Sequence, residues 1–308
     1  MKIRVLCVCF ALAAPTLAKT GGGDRPKITG IDHVDFYFTN EEGANDLYMK
    51  VLGLATAGPI EPAQTRRFMV GKQQWVGYSP APEAKVTDRM DHVAFATESC
   101  DALRSYLAGK GVKVPDSVDQ RKDGTRTFAV KDPEGHRIEF VEHPKKAATF
   151  ALATSVGTPD PVSRRMIHAG FIVHDRDAED HFYKDILGFH LYWYGGMQPD
   201  RTEWVAMQVP DGTDWLEYML NVKADADLRL MGVMNHISLG VRDMKQAQTK
   251  LESHGWKAHG DEHSQMGKDG KWQLNVFDPD LTRVELMELT PAQKPCCSEF
   301  QGPHPKEP

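Results

Sequence analysis

Cysteine is scarce in this chain of 308 residues: there are five, and two of them, Cys7 and Cys9, lie close to the N-terminus. The other three, Cys100, Cys296 and Cys297, are too few for a disulfide framework. Because Cys100 begins a helical pattern, we expect it to be a small buried apolar residue. A small disulfide-rich scaffold is therefore excluded.

An excess of positive charge is also lacking. The chain has 37 Lys and Arg against 43 Asp and Glu, a net charge of −6, and no basic run. This balance argues against nucleic acid as a partner. Beyond the N-terminus, no apolar stretch is long enough to span a bilayer. With 41% hydrophobic and 26% charged residues, the composition is typical of a soluble globular protein, and the length suits about two domains.

The N-terminus has the pattern of a secretory signal peptide. Lys2 and Arg4 precede a nearly unbroken apolar run over residues 5–14, and small residues follow up to Ala18. We therefore predict a signal peptide over residues 1–18 and a flexible leader over residues 19–27. The alternative is a buried first helix or strand. The prediction implies export to the periplasm or the outside, with no membrane attachment after cleavage.

A strand pattern with a histidine near its start occurs four times. It covers residues 31–36, 90–95, 166–171 and 234–239, with His33, His92, His168 and His236. Two of the four units end in similar text, Asp-Pro-Glu-Gly-His-Arg-Ile-Glu at 132–139 and Asp-Pro-Asp-Leu-Thr-Arg-Val-Glu at 278–285. Histidine and glutamate that recur at fixed spacing predict a metal site that is built more than once.

Each unit reads as strand, helix and three further strands. The first unit corresponds to the third and the second to the fourth, which divides the chain into two halves at 28–145 and 164–291. A linker of residues 146–163 and a flexible tail of residues 292–308 complete the predicted organisation. The fold class is therefore α+β, with four βαβββ modules paired into two cup-like, incompletely closed mixed-sheet barrels.

This arrangement resembles the vicinal oxygen chelate superfamily. Its members include glyoxalase I, the extradiol dioxygenases, 4-hydroxyphenylpyruvate dioxygenase and the fosfomycin and bleomycin resistance proteins. The resemblance rests on Asp-His-Val-Ala-Phe-Ala at 91–96, Gly-Val-Lys-Val-Pro at 111–115 and the run from Asp132 to Glu142. It covers both halves, so each half resembles one two-module domain of this superfamily.

The resemblance implies metal ligands on the first and last strands of each unit. The first-strand positions are His33, His92, His168 and His236, and the last-strand positions are Gly77, Glu139, Glu217 and Glu285. The first unit therefore departs from the pattern, because Gly77 stands where a carboxylate is expected.

The C-terminal half thus has a complete set of two histidines and two glutamates. His168, Glu217, His236 and Glu285 resemble the glyoxalase I site, which holds Zn or Ni. The N-terminal half has only His33, His92 and Glu139, a possible second metal site with the composition of an Fe(II) facial triad. We expect units to pair within each half. The alternative pairs the first unit with the fourth and the second with the third.

The function implied by this resemblance is a metal-dependent isomerase or lyase of the glyoxalase type. It would act through a metal-bound enediolate on a small substrate with adjacent oxygens, and Glu217 and Glu285 are the candidate catalytic carboxylates. The cofactor is a divalent metal ion, with Zn or Ni favoured and Fe(II) as the alternative. We expect a monomer or a homodimer.

Two other functions stay open. The first is an extradiol ring-cleaving Fe(II) dioxygenase, although Asn275 stands where such enzymes usually carry a tyrosine. The second is a non-catalytic small-molecule binding protein like the bleomycin resistance proteins. The sequence does not identify the substrate.

Overall fold

The computed structural model describes residues 24–60, 65–82, 86–145, 160–259 and 263–308. The predicted signal peptide, part of the leader and most of the linker lie outside the described residues. None of the helices in the described ranges is both long and apolar enough to cross a membrane.

The first half contains two βαβββ modules. The first has β1 (Ile28–Phe38), α1 (Glu41–Asn45) with a π-helical continuation (Asp46–Val51), β2 (Ala55–Ile60), β3 (Thr65–Met69) and β4 (Trp75–Pro80). The second has β5 (Met90–Thr97), α2 (Cys100–Gly109), β6 (Asp119–Gln120), β7 (Arg126–Lys131) and β8 (Arg137–Glu142). Together they form an eight-stranded mixed sheet in the order β2-β3-β4-β1-β5-β8-β7-β6.

The second half has the same plan. Its third module has β9 (Met166–Ile172), α3 (Arg176–Asp180) with a π-helical continuation (His181–Ile186), β10 (His190–Gly195), β11 (Trp204–Gln208) and β12 (Trp215–Met219). Its fourth has β13 (His236–Val241), preceded by α4 (Leu228–Met234), then α5 (Met244–Ser253), β14 (Gln265–Met266), β15 (Trp272–Phe277) and β16 (Arg283–Glu288). The strand order is β10-β11-β12-β9-β13-β16-β15-β14.

The predicted fold class is confirmed, and so is the pairing of units within each half, since each sheet is built from one half of the chain. In both sheets the two first strands are antiparallel neighbours at the centre, and each is flanked by the parallel last strand of its own module. This order places the four ligand-bearing strands of each half side by side. It therefore places all of the predicted ligand positions of one half in a single region.

The helices are held over the outer face of the sheets by side-chain caps. Ser99 accepts a hydrogen bond from the backbone N–H of Ala102, and Asp243 accepts one from Gln246. Glu142 and Glu288, at the ends of β8 and β16, accept the first N–H groups of α2 and α5. The pairs of strand and helix are thereby fixed in both halves. Cys100 at the start of α2 is buried, as predicted.

Each half packs one of its turns against the other half. The turn after β15 inserts Asp278 against Tyr78 of the first half, and Asp280 accepts the N–H and hydroxyl of Thr39. The turn after β7 does the reverse, because Asp132 accepts a hydrogen bond from the hydroxyl of Tyr183 at 3.0 Å. The Asp-Pro turns therefore join the halves in addition to ending strands.

The tail of residues 292–308 differs from the expected flexible segment. The backbone N–H of Gln301 donates to the carbonyl of Tyr192 at 2.9 Å, and the Phe300 and Tyr192 rings lie 4.8 Å apart. Gln208 on β11 donates to the carbonyl of Pro303 at 2.9 Å. The tail thus covers apolar side chains of β10 and β12. Its polar, proline-containing composition gave no indication of this contact. Cys296 and Cys297 are joined to each other by a disulfide.

Candidate metal centres

The central strands of the C-terminal sheet bring together all four of its predicted ligands. His168 lies on β9, Glu217 on β12, His236 on β13 and Glu285 on β16. In the sheet register, His168 is level with Ser238 and Glu285, and Gly170 is level with His236 and Glu217. The ligand side chains therefore form two adjacent rows across four strands.

The ligand atoms converge on one point. The two imidazole Nε2 atoms of His168 and His236 are 3.1 Å apart, and Glu285 Oε2 lies 3.2 Å from His168 Nε2. Glu217 Oε2 lies slightly farther out, 3.5 Å from His236 Nε2 and 3.8 Å from His168 Nε2. Both histidines are fully buried. We call this group the C-terminal centre.

The chemistry of these donors fits a divalent cation. His236 Nδ1 lies 2.7 Å from the carbonyl of Met234, which accepts a hydrogen bond only if Nδ1 carries the proton. The neutral ring therefore presents a lone pair at Nε2, towards His168 and Glu217. Neutral imidazole and carboxylate are the ligands that zinc and related metals take in proteins. The C-terminal centre can hold such an ion.

The electrostatics of the centre favour the ligand forms of its groups. Burial and the charge of Arg283 lower the pKa of His236 to about 4, which keeps the ring neutral. Burial alone would raise the pKa of Glu285, but its hydrogen bond with His168 and the charge of Arg283 lower it to about 2. For Glu217, the hydrogen bond with His236 likewise outweighs burial and lowers the pKa.

Lys271 is a functional candidate that the sequence reasoning missed. It is fully buried at the start of β15, with its ammonium 4.6 Å from the ring centre of Trp215 and 3.3 Å from the Tyr192 hydroxyl. Burial lowers its pKa to about 8, against the opposite effect of Asp269 and Glu285. The only signal in the sequence was its place directly after Gly270 in a charged turn.

The N-terminal sheet brings His33, His92 and Glu139 together in the same way. The Nε2 atoms of the two histidines are 3.1 Å apart, and Glu139 Oε2 lies 3.2 Å from the first and 3.3 Å from the second. Asp35 on β1, which sequence reasoning did not single out, also faces His92. We call this group the N-terminal centre.

The N-terminal centre differs in that one of its histidines, His92, is held in the protonated form. Burial alone would lower the pKa of His92, but hydrogen bonds with Asp91 and Glu139 raise it to about 9. Contacts with His33 and His92 hold the pKa of Glu139 well below its usual range in spite of burial. Burial raises the pKa of Asp35. The charges of these buried groups are therefore balanced within the cluster.

Comparison with solved structures finds the same fold at low identity. A variant of homoprotocatechuate 2,3-dioxygenase from Brevibacterium fuscum has a TM-score of 0.62 and 16% identity, over 92% of this chain and 77% of that one. The Mn(II)-bound glyoxalase from Novosphingobium aromaticivorans has a TM-score of 0.59 and 17% identity, over 85% and 83%.

A third solved structure is much longer than this chain. It is a xylose isomerase-like TIM barrel/4-hydroxyphenylpyruvate dioxygenase fusion protein, with a TM-score of 0.59 and 15% identity. The match covers 86% of this chain but only 49% of that one. Identities this low show the fold alone. Among curated proteins, none matches the chain.

A family model gives the assignment that these structures leave open. The model of the Glyoxalase/Bleomycin resistance protein/Dioxygenase superfamily matches residues 30–140 and 165–286, one segment in each half. Both segments carry their histidines and glutamates on the central strands described above. The chain therefore belongs to the glyoxalase, bleomycin resistance protein and dioxygenase superfamily.

Proposed function

We propose that this protein is a metal-dependent isomerase or lyase of the glyoxalase type, acting on a small substrate with adjacent oxygens at the C-terminal centre. The observation that carries the proposal is the convergence of two histidines and two glutamates there, with His168 Nε2 within 3.8 Å of each of the other three ligand atoms. A bound divalent ion would supply a Lewis acid that stabilises negative charge on the substrate oxygens. Zn or Ni suits this donor set, with Fe(II) as the alternative.

The two glutamates differ in a way that suits two roles. The Glu285 side chain is 4% exposed and lies close to His168, whereas that of Glu217 is 13% exposed and lies farther from both histidines. We assign Glu285 the role of a fixed ligand. Glu217 is placed to leave the ligand position and to carry a proton between adjacent carbons of the substrate.

Lys271 and its aromatic neighbours extend this proposal to substrate binding. Its ammonium lies among the rings of Trp215, Tyr192 and Phe300. A pKa of about 8 leaves most of the side chain protonated at neutral pH. In the proposed reaction Lys271 binds the developing negative charge of the substrate, in a site where burial strengthens the attraction.

Two substitutions test the assignment of the glutamates. Glu285→Gln removes the fixed ligand, so we expect loss of about one equivalent of metal. Glu217→Gln should retain the metal and lose turnover, measured with 2-oxoaldehyde adducts or other α-hydroxycarbonyl compounds. Glu252→Gln, at an exposed position of α5 in the same half, is the matched control. Loss of metal in the Glu217 variant alone would contradict the assignment.

A ring-cleaving Fe(II) dioxygenase is the second candidate. It is favoured by one feature of the geometry: His168, His236 and Glu285 form the tighter group, with Glu217 outside it. Three such ligands are the facial triad of non-haem iron oxygenases. Oxygen uptake on catechols by the Fe(II)-loaded protein, without isomerase activity in the Zn or Ni form, would decide for this candidate. Metal binding without turnover in either assay would indicate a binding protein.

Export is proposed on the N-terminal sequence alone. Lys2, Arg4 and the apolar run to Ala14 support it. N-terminal sequencing of the protein recovered outside the cytoplasm should begin near residue 19, and an intact Met1 would refute cleavage.

A further inference from the structure

Each centre has a carboxylate that lies on a different strand in the two halves. In the C-terminal sheet, Gly170 on β9 is level with Glu217 on β12. In the N-terminal sheet, the corresponding pair is Asp35 on β1, level with Gly77 on β4. A glycine and an acidic residue have thus exchanged places across two parallel neighbouring strands. The apparent loss of a carboxylate at Gly77 is matched by a gain two residues after His33.

The space around these residues shows why the exchange is reciprocal. A Cβ built on Gly77 would lie 1.3 Å from Asp35 Oδ1, so the Asp35 carboxylate occupies the volume that a side chain from β4 would need. A Cβ built on Gly170 would lie 2.2 Å from the ring of His236. In the N-terminal half, therefore, Asp35 excludes a side chain from β4, whereas in the C-terminal half the ring of His236 excludes one from β9. The carboxylate enters the centre from β1 in one half and from β12 in the other.

The surroundings of Asp35 suit a carboxylate that binds a cation. It is 6% exposed, and its Oδ1 has no hydrogen-bond partner within the described ranges. Its Oδ2 lies 3.9 Å from His92 Nε2. Ligand atoms of Asp35, His33 and His92 all lie within 4.8 Å of one another. A buried carboxylate oxygen without a partner costs free energy, and a cation placed between these atoms would remove that cost.

We propose that the N-terminal half holds a second divalent cation, bound by His33, Asp35, His92 and Glu139. The four donors are two imidazoles and two carboxylates, the same composition as in the C-terminal centre, with one carboxylate supplied from a different strand. Nitrogen and oxygen donors of this kind suit Zn, Mn, Fe or Ni in the divalent state.

The surroundings of the histidines support this second site independently. His33 Nδ1 lies 2.7 Å from Asp32, and His92 Nδ1 lies 2.6 Å from Asp91. Carboxylates on the far nitrogen fix the tautomer and orientation of metal-binding histidines. Asp32 also binds His143, and Asp91 binds Arg137 at 2.9 Å. Both supporting carboxylates are therefore themselves held in place.

The C-terminal centre lacks these supports. His168 Nδ1 has no hydrogen-bond partner among the described residues, and His236 Nδ1 faces only a backbone carbonyl. Ile167 and Asn235 stand where the first half has Asp32 and Asp91. The half with the irregular ligand sequence thus has the more complete set of supporting groups. Supporting groups of this kind are expected around an ion site.

Glu139 divides its two oxygens between different partners. Its Oε2 faces both histidines, and its Oε1 accepts the shorter hydrogen bond from Arg121, at 3.1 Å against 3.4 Å for Oε2. Arg121 thus holds the carboxylate mainly by Oε1, with Oε2 turned to the histidines. A cavity of about 1240 Å³ is lined in part by Asp32 and His143, which lie behind His33.

The experiment measures cation stoichiometry in the full chain. Protein stripped with chelator is titrated with Co²⁺, and bound cobalt is read by elemental analysis and by its visible absorption. We expect two equivalents in the wild type and one in His236→Ala, which disables only the C-terminal centre. Zero equivalents in His236→Ala, with a folded circular dichroism spectrum, would overturn the second site and leave the proposed function untouched.

Asp35 is tested in the His236→Ala background. Asp35→Asn keeps the shape and removes the charge, and it should weaken Co²⁺ binding at least about 10-fold. Asp119→Asn, an exposed aspartate of the same half, is the matched control and should bind as the background does. Unchanged affinity in Asp35→Asn would reduce Asp35 to a counter-ion of the histidines and would refute its role as a ligand.

A double substitution tests directly whether the carboxylate of the N-terminal centre can be supplied from either strand. Asp35→Gly frees the volume beside Gly77, and adding Gly77→Glu recreates the arrangement of the C-terminal half. We expect the first change to weaken Co²⁺ binding and the pair to restore it to within a few-fold. Gly77→Glu alone should disrupt the centre, since Asp35 fills the space. Failure of the pair to restore binding, in a variant that unfolds at the wild-type temperature, would refute the exchange.

Discussion

At the scale of single residues, the Asp-His dipeptides of the first half distinguish its centre from that of the second. Asp32 and Asp91 each precede a histidine ligand candidate and bind its Nδ1. Strand neighbours normally point to opposite faces. At Asp32, however, the register between β1 and β5 shifts between Ile31 and His33. This irregularity lets two adjacent side chains act on the same site.

Replacing Asp32 by Asn should weaken cation binding at the N-terminal centre by about 10- to 100-fold, since it removes a supporting carboxylate. The C-terminal centre of the same molecule should be unaffected. The measurement is a Co²⁺ titration in the His236→Ala background, with the N-terminal centre intact, and in the Asp35→Asn background, with the C-terminal centre intact. Equal losses in both backgrounds would indicate a general effect on folding.

The same residues show how far the sequence predicts the sites. The four histidines, Glu139 and Glu285 were found because their sequence pattern recurs along the chain. Glu217 was found from the family resemblance, which implies a ligand on the last strand of each unit. Asp35 was missed because it replaces a ligand across a parallel strand pair, 42 positions from Gly77. Sequence spacing carries no information about which strands become neighbours. A comparison of the repeated units along the chain therefore does not find Asp35.

At the scale of elements, the exchanged turns carry the contact between the halves. Asp280 is buried and accepts hydrogen bonds from Thr39 N–H at 2.8 Å and Asn40 N–H at 3.3 Å, as well as the Thr39 hydroxyl. In the other turn, Glu134 accepts the N–H groups of His174 and Asp175 at 2.7 and 2.6 Å, but it is only partly buried. The two turns are a matched pair that differs mainly in exposure.

Asp280→Ala should therefore lower the free energy of unfolding by roughly 2–4 kcal/mol, because the buried guanidinium of Arg89, 3.6 Å from Asp280, loses its counter-charge and Thr39 loses an acceptor. Glu134→Ala should cost less, about 1 kcal/mol, since water can replace its carboxylate. The free energies are measured by urea unfolding, and they are compared where both variants show the same dependence on urea concentration. A larger loss for Glu134 would contradict the importance assigned to burial.

The junction between the halves also predicts a dependence on pH. Burial, and next the charge of Asp132, raise the pKa of Glu179 to about 8. The folded protein then keeps a proton on Glu179 that the unfolded chain, with a pKa near 4.5, has already released. Stability should fall as pH rises from about 4.5 to about 8, and change no further from this group above that.

Glu179→Gln removes this proton linkage. The difference in melting temperature, variant minus wild type, should increase between pH 4.5 and 8 and then level off. Glu98→Gln, an exposed residue of the first half, serves as the control and should show no such trend. A difference that does not change with pH would contradict the raised pKa.

The order of helices and strands could be predicted from the sequence, but the contacts between distant segments could not. The βαβββ order follows from alternating strands, capping residues and Asp-Pro turns, which are local signals. The contacts of the turns between the halves, and of the tail with β10, join residues that are far apart in the sequence. These residues have the composition of an ordinary protein surface. Phe300 is the single large apolar residue in a polar segment. Nothing local distinguishes it from an exposed side chain.

At the scale of the whole molecule, the tail makes the two centres unequal. Phe300 packs on Tyr192, and His304 Nδ1 lies 2.6 Å from the Tyr192 hydroxyl. Tyr192 in turn lies against Trp215, whose ring is 4.7 Å from that of His168. A continuous stack of side chains therefore leads from the tail to the C-terminal centre. The cavity beside Asp32, which supports His33 of the N-terminal centre, meets the tail at Pro308 alone among the described residues.

Removing residues 292–308 should for this reason affect the C-terminal centre selectively. Loss of Phe300 and of its contact with Tyr192 uncovers apolar surface, so we expect stability to fall by about 2 kcal/mol or more. We also expect a chelator to remove Co²⁺ from the C-terminal centre several-fold faster, because the stack over His168 is open to water. The rate at the N-terminal centre should stay the same, which provides an internal control. Each rate is measured by loss of cobalt absorption in a protein with one centre disabled, by His236→Ala or by His92→Ala. Equal acceleration at both centres would mean that the tail stabilises the whole fold without covering one site, since a local cover cannot protect a centre in the other half.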